Sequence, residues 1–533
     1  MTTAEPKITY TSTPEEIEAM QGRFDEMLVE IEKDFGTSYP MIINGEDRHG
    51  ETQFDVIAPA NTELVLGRFT KGTKKDVDDA LAAAKAYQPE WAALAPEERV
   101  GFVRAAARKI RERKFKLASL MIHECGKSRT EAIGEIEEGA DLLDYYADVY
   151  EDNNYYEKKM RSEDPRERNV SVLRPFGVFG IMAPFNFPHA LAAGPIGGAL
   201  VTGNTVVFKP ASATALSGYF LARTILDSGL PAGALQFVTG GGEEVGNYLV
   251  HHPMTDGVVF TGSKETGMEL YNSFSTVYPK PIITEMGGKN PTIVTKNADM
   301  DKAVEGVARS AFGFSGQKCS ACSRAYIEAE VYDEFVERLV KRAGELKVGD
   351  PTDKDVFVGP VIDEGTVKRF EEAVQKVKDA GGTILFGGER LTEGELAKGT
   401  FVAPTIVGDL PLDHEAFKRE YFMPFIAVGK VDSLEHAIAE SNDVEYGLTA
   451  GIFTEDKDEI QQFFDGIEAG VVYANRKGGS TTGAWPGSQP FSGWKGSGSS
   501  GKGALGPYYP SLFLREQSRT VVVYDEDTGD RPM

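Results

Sequence analysis

The sequence predicts an α/β protein of more than one domain, each wound around a largely parallel sheet. Three observations carry this. The chain has 533 residues, too many for one core and enough for two or three domains. Between 176 and 285, short apolar runs (GVFGIMA, TVVFK, LQFVTG, GVVFTGS, PIITEMGG) alternate with helical stretches such as 213–228 and 243–251. That alternation marks a βα-wound parallel sheet. It returns from about 300 to 475.

The elements follow in order. Residues 1–40 are polar with one amphipathic stretch and read as an arm packed on the body. From Val77 a helical period begins, with Val77, Ala80, Leu81 and Ala84 on one face. Further helices are expected over roughly 95–122 and 130–150; in the second, Ile136, Ala140, Leu143, Ala147 and Tyr150 are spaced by fours and threes. The charged stretch 151–168 breaks the pattern, and 169–173 reads as a strand. In 175–201 the only polar side chains are Asn186 and His189, yet Pro184, Pro188 and Pro195 interrupt it. A membrane helix of about 20 residues rarely carries three prolines, so a buried strand, a tight turn and a buried helix start are expected. Residues 478–503 are rich in Gly and Ser and read as loop, and TVVVY at 520–524 is β-prone. There is no internal repeat and no coiled coil.

Composition narrows the function classes. The chain carries 82 acidic against 57 basic side chains, net −25. Such a surface repels phosphate backbones and anionic membranes, so neither nucleic acid nor membrane is an expected partner. The excess is either a solubility feature or an adaptation to a high-salt cytoplasm, where screening shrinks self-repulsion. Three cysteines, Cys125, Cys319 and Cys322, are too few for a disulfide framework and point to a reducing compartment. The seven histidines show no zinc-type spacing with cysteines, so no metal is expected. The N-terminal residues lack a basic start followed by an apolar stretch, so no signal peptide is expected, and the cytoplasm is the expected location.

The strongest local signal is FGFSGQKCSACSR at 312–324. Cys319 follows a Gly-rich turn and Lys318, and a neighbouring cation favours the reactive thiolate. The alternative is a buried structural cysteine. CSAC also admits a redox pair of Cys319 with Cys322, without thioredoxin or zinc context. A cysteine acting on a carbonyl needs a base, an oxyanion donor and a leaving group or electron acceptor. Glu285 ends the apolar run PIITE before two glycines and can reach a cleft; it can equally be a surface glutamate. Asn186, the one amide in its apolar stretch, is either a turn former or aimed at a developing oxyanion. Two glycine patterns could cradle phosphate: GGGEEVG at 240–246, and FTGSKETG at 260–267, which opens a helix over 265–274 beside Ser263. Neither is the standard dinucleotide fingerprint.

Taken together these pieces resemble the aldehyde dehydrogenase superfamily over about 40–510. APFNFP, FKPAS, FTGS, EMGGKNP, FSGQKCS and QPFSGWKGSG occur in that family's order. The intervals agree too: 23 residues from Asn186 to Lys209, 23 from Gly262 to Glu285 and 34 from Glu285 to Cys319. The resemblance implies a Rossmann-type cofactor domain (1–153 and 175–286), an α/β catalytic domain (287–506) and a β-oligomerisation extension (154–174 and 507–526). It implies Cys319 as nucleophile and Glu285 as the base that brings water to a thioester. Asn186 and the Cys319 backbone N–H would form an oxyanion hole. It implies NAD as cofactor, with NADP not excluded, held by Lys209, Ser212, Gly262, Ser263, Glu420 and Phe422. Ser212 stands where the family often has a glutamate that rejects a 2′-phosphate. Met423 replaces a frequent glycine.

KCSACSR with the preceding SAFGFSGQ, and TTGAWPGSQPFSGW, look like the Δ1-pyrroline-5-carboxylate (glutamate γ-semialdehyde) dehydrogenases. That likeness implies Lys318, Ser320, Gly483 and Ala484 around the substrate's α-carboxylate. Phe187 and Phe491 would wall its chain, and Glu138 would stand near the aldehyde. Trp485 and Gly487 depart from that pattern in the anchor region. An exposed strand pair in the extension invites a second copy, so a homodimer or a multiple of it is expected. The alternatives are a dehydrogenase of another semialdehyde or aliphatic aldehyde, a cysteine acyltransferase or hydrolase without dinucleotide, and a non-catalytic protein that keeps the fold.

Overall fold

A computed structural model describes residues 7, 9, 16, 18–476 and 484–523. Two seven-stranded sheets dominate. The strands of the first are β1 (Met41–Ile43), β2 (Glu46–Arg48), β3 (Val178–Met182), β4 (Thr205–Lys209), β5 (Leu235–Phe237), β6 (Gly257–Thr261) and β7 (Ile282–Glu285). They lie in the order β7-β6-β3-β4-β5-β1-β2. The five from β3 to β7 are parallel, and β1 and β2 add an antiparallel edge. The 176–285 alternation is therefore the wound sheet expected. Its two N-terminal edge strands were not legible, because three-residue strands show no period.

The second sheet holds β8 (Asn290–Val294), β9 (Cys322–Glu328), β10 (Thr383–Phe386), β11 (Thr405–Gly408), β12 (Phe425–Val431), β13 (Thr449–Phe453) and β14 (Val471–Ala474). Its order is β10-β11-β12-β9-β8-β13-β14, parallel except for β10. Every residue of β3, β4, β8 and β13 is buried. Strands covered on both faces read as continuous apolar runs, which is why the sequence displayed them so clearly.

A third, three-stranded antiparallel sheet joins Leu514–Val522, Glu167–Pro175 and Glu157–Lys159. The strand expected at 169–173 is longer, and its partner starts at Leu514, six residues before TVVVY. After Leu514 that partner is exposed throughout, so no apolar alternation announced it. The small sheet of Thr37–Tyr39, Gln53–Ala58 and Asn61–Thr70 was not anticipated.

The N-terminal stretch packs on the body through helix Gln21–Ile31, whose Phe24 ring meets Phe115 edge-on at 5.3 Å. The helix expected over 95–122 is two, Pro96–Glu112 and Lys114–Cys125, meeting at Arg113. Residues 242–251 form a π-turn and a short helix, not one helix. Helix α1 (Arg129–Asp152) starts at Ser128, whose hydroxyl caps the Glu131 amide at 3.4 Å. Helix α2 (Ala190–Val201) tolerates Pro195 inside it and buries every residue but Leu191. Helix α3 (Lys264–Ser273) follows β6. Among the described residues, no helix is long and apolar enough to cross a membrane.

Candidate active site

In the first sheet, chain order runs one way from β3 through β4 to β5 and the other way through β6 to β7. The crevice at the carboxyl ends of β3 and β6 is such a switch point, where open α/β sheets bind ligands. Asn186 follows β3, Lys209 ends β4, Gly262 and Ser263 follow β6, and Glu285 ends β7. The chain then enters the second sheet through 286–289. Cys319 and Glu420 precede its strands β9 and β12. The carboxyl edge of one sheet thus meets the amino edge of the other.

The Cys319 turn is over-determined. Phe314 (φ 48°), Ser315 (φ 53°) and Gly316 (φ 65°) lie consecutively in the left-handed region. For the two non-glycine residues this strain costs on the order of 1–3 kcal/mol each. A Cβ on Gly316 would collide with the Met423 carbonyl, so that position must be glycine. Ser315 Oγ donates to Gly359 O at 2.7 Å, and Gln317 Oε1 accepts from Ile362 N at 2.8 Å. Asn290 Nδ2 donates to Cys319 O at 2.7 Å and to Ala321 O at 2.9 Å, and its Oδ1 accepts from Thr449 N at 3.0 Å.

All three cysteines are free thiols; Cys319 is part-exposed, while Cys125 and Cys322 are buried. Burial pushes the Cys319 thiol up to about 12, with the Glu420 and Glu285 carboxylates adding to the rise and the Ser320 and Cys319 amides opposing it. This reverses the expectation that Lys318 lowers it. The Lys318 ammonium is paired with Glu131, so its charge is spent away from the sulfur.

Glu285 is fixed through its backbone. Its carbonyl accepts from Gly262 N at 3.0 Å, and the next amide, Met286 N, donates to Ser497 O at 2.9 Å. Burial raises its carboxyl to about 8, and Oε2 is buried with no hydrogen-bond partner among the described residues. A buried oxygen left without a donor is uncommon and calls for an explanation.

Glu420 Oε1 accepts from Gly288 N at 2.8 Å, and a Cβ on Gly287 would collide with the carboxylate. Burial raises Glu420 to about 7 against the pull of the Gly288 amide and Lys289. Phe422 adopts φ 59°, and its ring meets Phe185 edge-on at 5.7 Å.

On the first sheet, Asn186 is buried, and Phe187 beside it packs edge-on against Phe314 at 6.5 Å. Lys209 is buried, lowered to about 8 by that burial, and donates to Pro210 O at 3.1 Å. Ser212 and Ser263 are exposed. Ser212 Oγ donates to Gly240 O at 3.2 Å, and Ser263 Oγ caps α3 by accepting from Thr266 N at 3.3 Å.

The residues expected around substrate come from several parts of the chain. Ser320 is buried. Glu138 is buried on α1, and Tyr146 feels both its charge and that of Glu285. Ala484 and Phe491 are half-buried against the core, and Phe491 N donates to Ala504 O at 2.7 Å. Gly483 lies outside the described residues.

Four residues escaped the sequence reading. Asn290 and Lys289 sit inside EMGGKN, whose glutamate is the more conspicuous group. Lys289 is almost fully buried, and burial together with Arg324 lowers it to about 7. Lys127 and Glu135 form an ion pair with neither side chain exposed. The signal for Glu135 was present: with Ala132, Gly139 and Leu142 it falls on the buried face of α1, where a carboxylate needs a partner. Among the described residues, no cluster of three or more His, Cys, Asp or Glu could hold a metal.

The sequence pattern of the aldehyde dehydrogenase family matches residues 46–516. A 1-pyrroline-5-carboxylate dehydrogenase from Geobacillus sp. (strain WCH70) is 38% identical over 517 residues, covering 95% of this chain and 96% of that one. A solved structure of 1-pyrroline-5-carboxylate dehydrogenase from Thermus with bound NAD superposes with a TM-score of 0.91 at 34% identity, covering 98% of this chain and 100% of that one. Proline utilization A from Bdellovibrio bacteriovorus, inactivated by N-propargylglycine, also gives 0.91, at 33% identity; it covers 100% of this chain, which spans 55% of that longer protein.

Proposed function

The chain belongs to the aldehyde dehydrogenase family, and on that premise we propose that it oxidises L-glutamate γ-semialdehyde, the open form of 1-pyrroline-5-carboxylate, to L-glutamate with NAD. The observation that carries the mechanism is the unpartnered Oε2 of Glu285, close enough to Cys319 to raise its thiol.

The residues fit a dinucleotide. The only hydrogen bond of the buried Lys209 ammonium among the described residues goes to Pro210 O, so two further donors remain for ribose hydroxyls. The free N–H groups at the start of α3 suit a pyrophosphate, and Glu420 and Phe422 would hold the nicotinamide end. When bound, NAD supplies the acceptor for the hydride that leaves the substrate carbon. Ser212 leaves no negative charge where a 2′-phosphate would arrive, which supports use of NADP as well.

Cys319 gives its proton to solvent, and its sulfur bonds to the aldehyde carbon. The carbonyl electron pair moves onto oxygen, where the Asn186 amide and the Cys319 N–H stabilise it. Loss of hydride from that carbon leaves a thioester. Glu285 then accepts a proton from water as the water oxygen bonds to the thioester carbon. The C–S bond breaks, releasing carboxylate and returning the sulfur. Burial and the two nearby carboxylates favour the protonated thiol in the free protein. Lys318, Ser320, Gly483 and Ala484 would receive the substrate's α-carboxylate, with Phe187 and Phe491 as walls and Glu138 beside the aldehyde.

The three-stranded sheet ending in Leu514–Val522 is the proposed oligomerisation extension. Its outer strand is exposed, and we assign it to pairing with a second copy in a cytoplasmic homodimer. The domain boundaries at 153, 175, 286 and 506 follow the same division. Initial rates with glutamate γ-semialdehyde, succinate semialdehyde and simple aldehydes, each with NAD and NADP, test the assignment. The first substrate should give the highest kcat/KM; preference for a simple aldehyde would overturn it.

A further inference from the structure

Two active-site segments far apart in sequence, the Asn186 loop and the Cys319 turn, meet around one buried ammonium. Lys127 Nζ lies over the Phe187 ring, 3.5 Å from its centroid, and over the Phe314 ring at 4.7 Å. Phe187 follows Asn186 directly, and Phe314 opens the left-handed turn that leads to Cys319. The other partner of Lys127 is Glu135, bonded through Oε2.

Glu135 has a second task. Helix α2 starts just after Asn186, and its first amides need acceptors. His189 stands at the capping position but makes no capping bond, and among the described residues neither of its ring nitrogens has a partner. Glu135 Oε1 takes that role from α1, accepting from His189 N at 2.8 Å and Ala190 N at 3.1 Å. One carboxylate therefore ends the Asn186 loop and holds the lysine that joins this loop to the Cys319 turn. A buried ion pair contributes little net stability against well-packed apolar residues, so stability alone gives weak reason for it.

We propose that Lys127 and Glu135 are positioning residues that fix the Asn186 amide relative to the Cys319 sulfur, and so set the rate of thiol attack and hydride loss. The proposal rests on the reading of Asn186 as the oxyanion donor. Displacing a reacting group by about 1 Å can cost on the order of a hundredfold in rate. Holding the pair should therefore matter even where the fold survives without it.

The test measures single-turnover NADH formation with saturating NAD and glutamate γ-semialdehyde. Lys127→Met with Glu135→Gln removes both charges at once, leaving no lone buried ion. Phe314→Leu leaves the ion pair intact and removes one ring over Lys127, which keeps the question open should the double variant not fold. Each is made in the native background and with Asn186→Ala, and NAD affinity is read by fluorescence. In the native background the double variant should slow NADH formation by about tenfold or more, and Phe314→Leu by a few fold, with NAD affinity within about twofold. With Asn186→Ala, both effects should shrink to within about twofold, because the group they position is gone. Equal losses in both backgrounds, or no loss in the native one, overturn the proposal. Asn186→Ala that leaves NADH formation intact overturns instead the oxyanion reading beneath it.

Discussion

The carboxyl rim of the first sheet and the Cys319 turn differ in how they hold their polar groups. Along the rim, the hydroxyls of Ser212 and Ser263 are exposed and already bonded to backbone atoms, while Lys209 among them is buried and shifted toward its neutral form. At the junction of the sheets, Cys319, Glu285, Glu420 and Lys289 are desolvated, and each is displaced toward its neutral form. Exposed hydroxyls exchange one partner for another at small cost, which suits reversible binding. Desolvated acids and thiols gain most from a partner that appears during reaction, which suits chemistry. Changes at the junction should therefore act on rate, and changes on the rim on affinity.

The largest effect tests the junction. Cys319→Ala should abolish NADH formation while NAD still quenches protein fluorescence; turnover in that variant would remove the covalent step. Next is pH. Burial raises the Glu285 carboxyl to about 8, so the group is protonated below that value and ionised above it. If Glu285 is the base for water, thioester hydrolysis should rise about tenfold per pH unit below 8 and level off above it. A flat profile from pH 6 to 9 would assign the proton to another group.

The contrast also explains what the sequence revealed. Buried strands such as 178–182 and 205–209 announced themselves because both faces are covered. Cys319, Glu285 and Asn186 stood out because each interrupts an apolar or glycine-rich run. The lysine beside Cys319 misled, because neighbours in sequence need not be neighbours in field; Glu131, 187 residues away in the chain, takes its charge. Lys127 and Glu135 were hidden for the same reason: their meaning depends on Phe187 and Phe314, which only the fold brings to them.

Smaller effects belong to the rim. Ser212→Glu should raise KM for NADP by about tenfold or more through charge repulsion, and leave kcat with NAD within about twofold. An equal change for both cofactors would place position 212 elsewhere. Smallest of all is the surface. With a net charge of −25, added salt should screen self-repulsion and raise Tm by a few degrees. A Tm highest in dilute buffer would deny the high-salt reading.

Pre-steady-state kinetics of Glu285→Gln bear most directly on the division of labour at the junction. Rapid mixing with NAD and glutamate γ-semialdehyde should give a burst of close to one NADH per subunit, followed by a steady-state rate on the order of a hundredfold below native as thioester accumulates on Cys319. A native steady-state rate without a burst would contradict a thioester hydrolysed by Glu285.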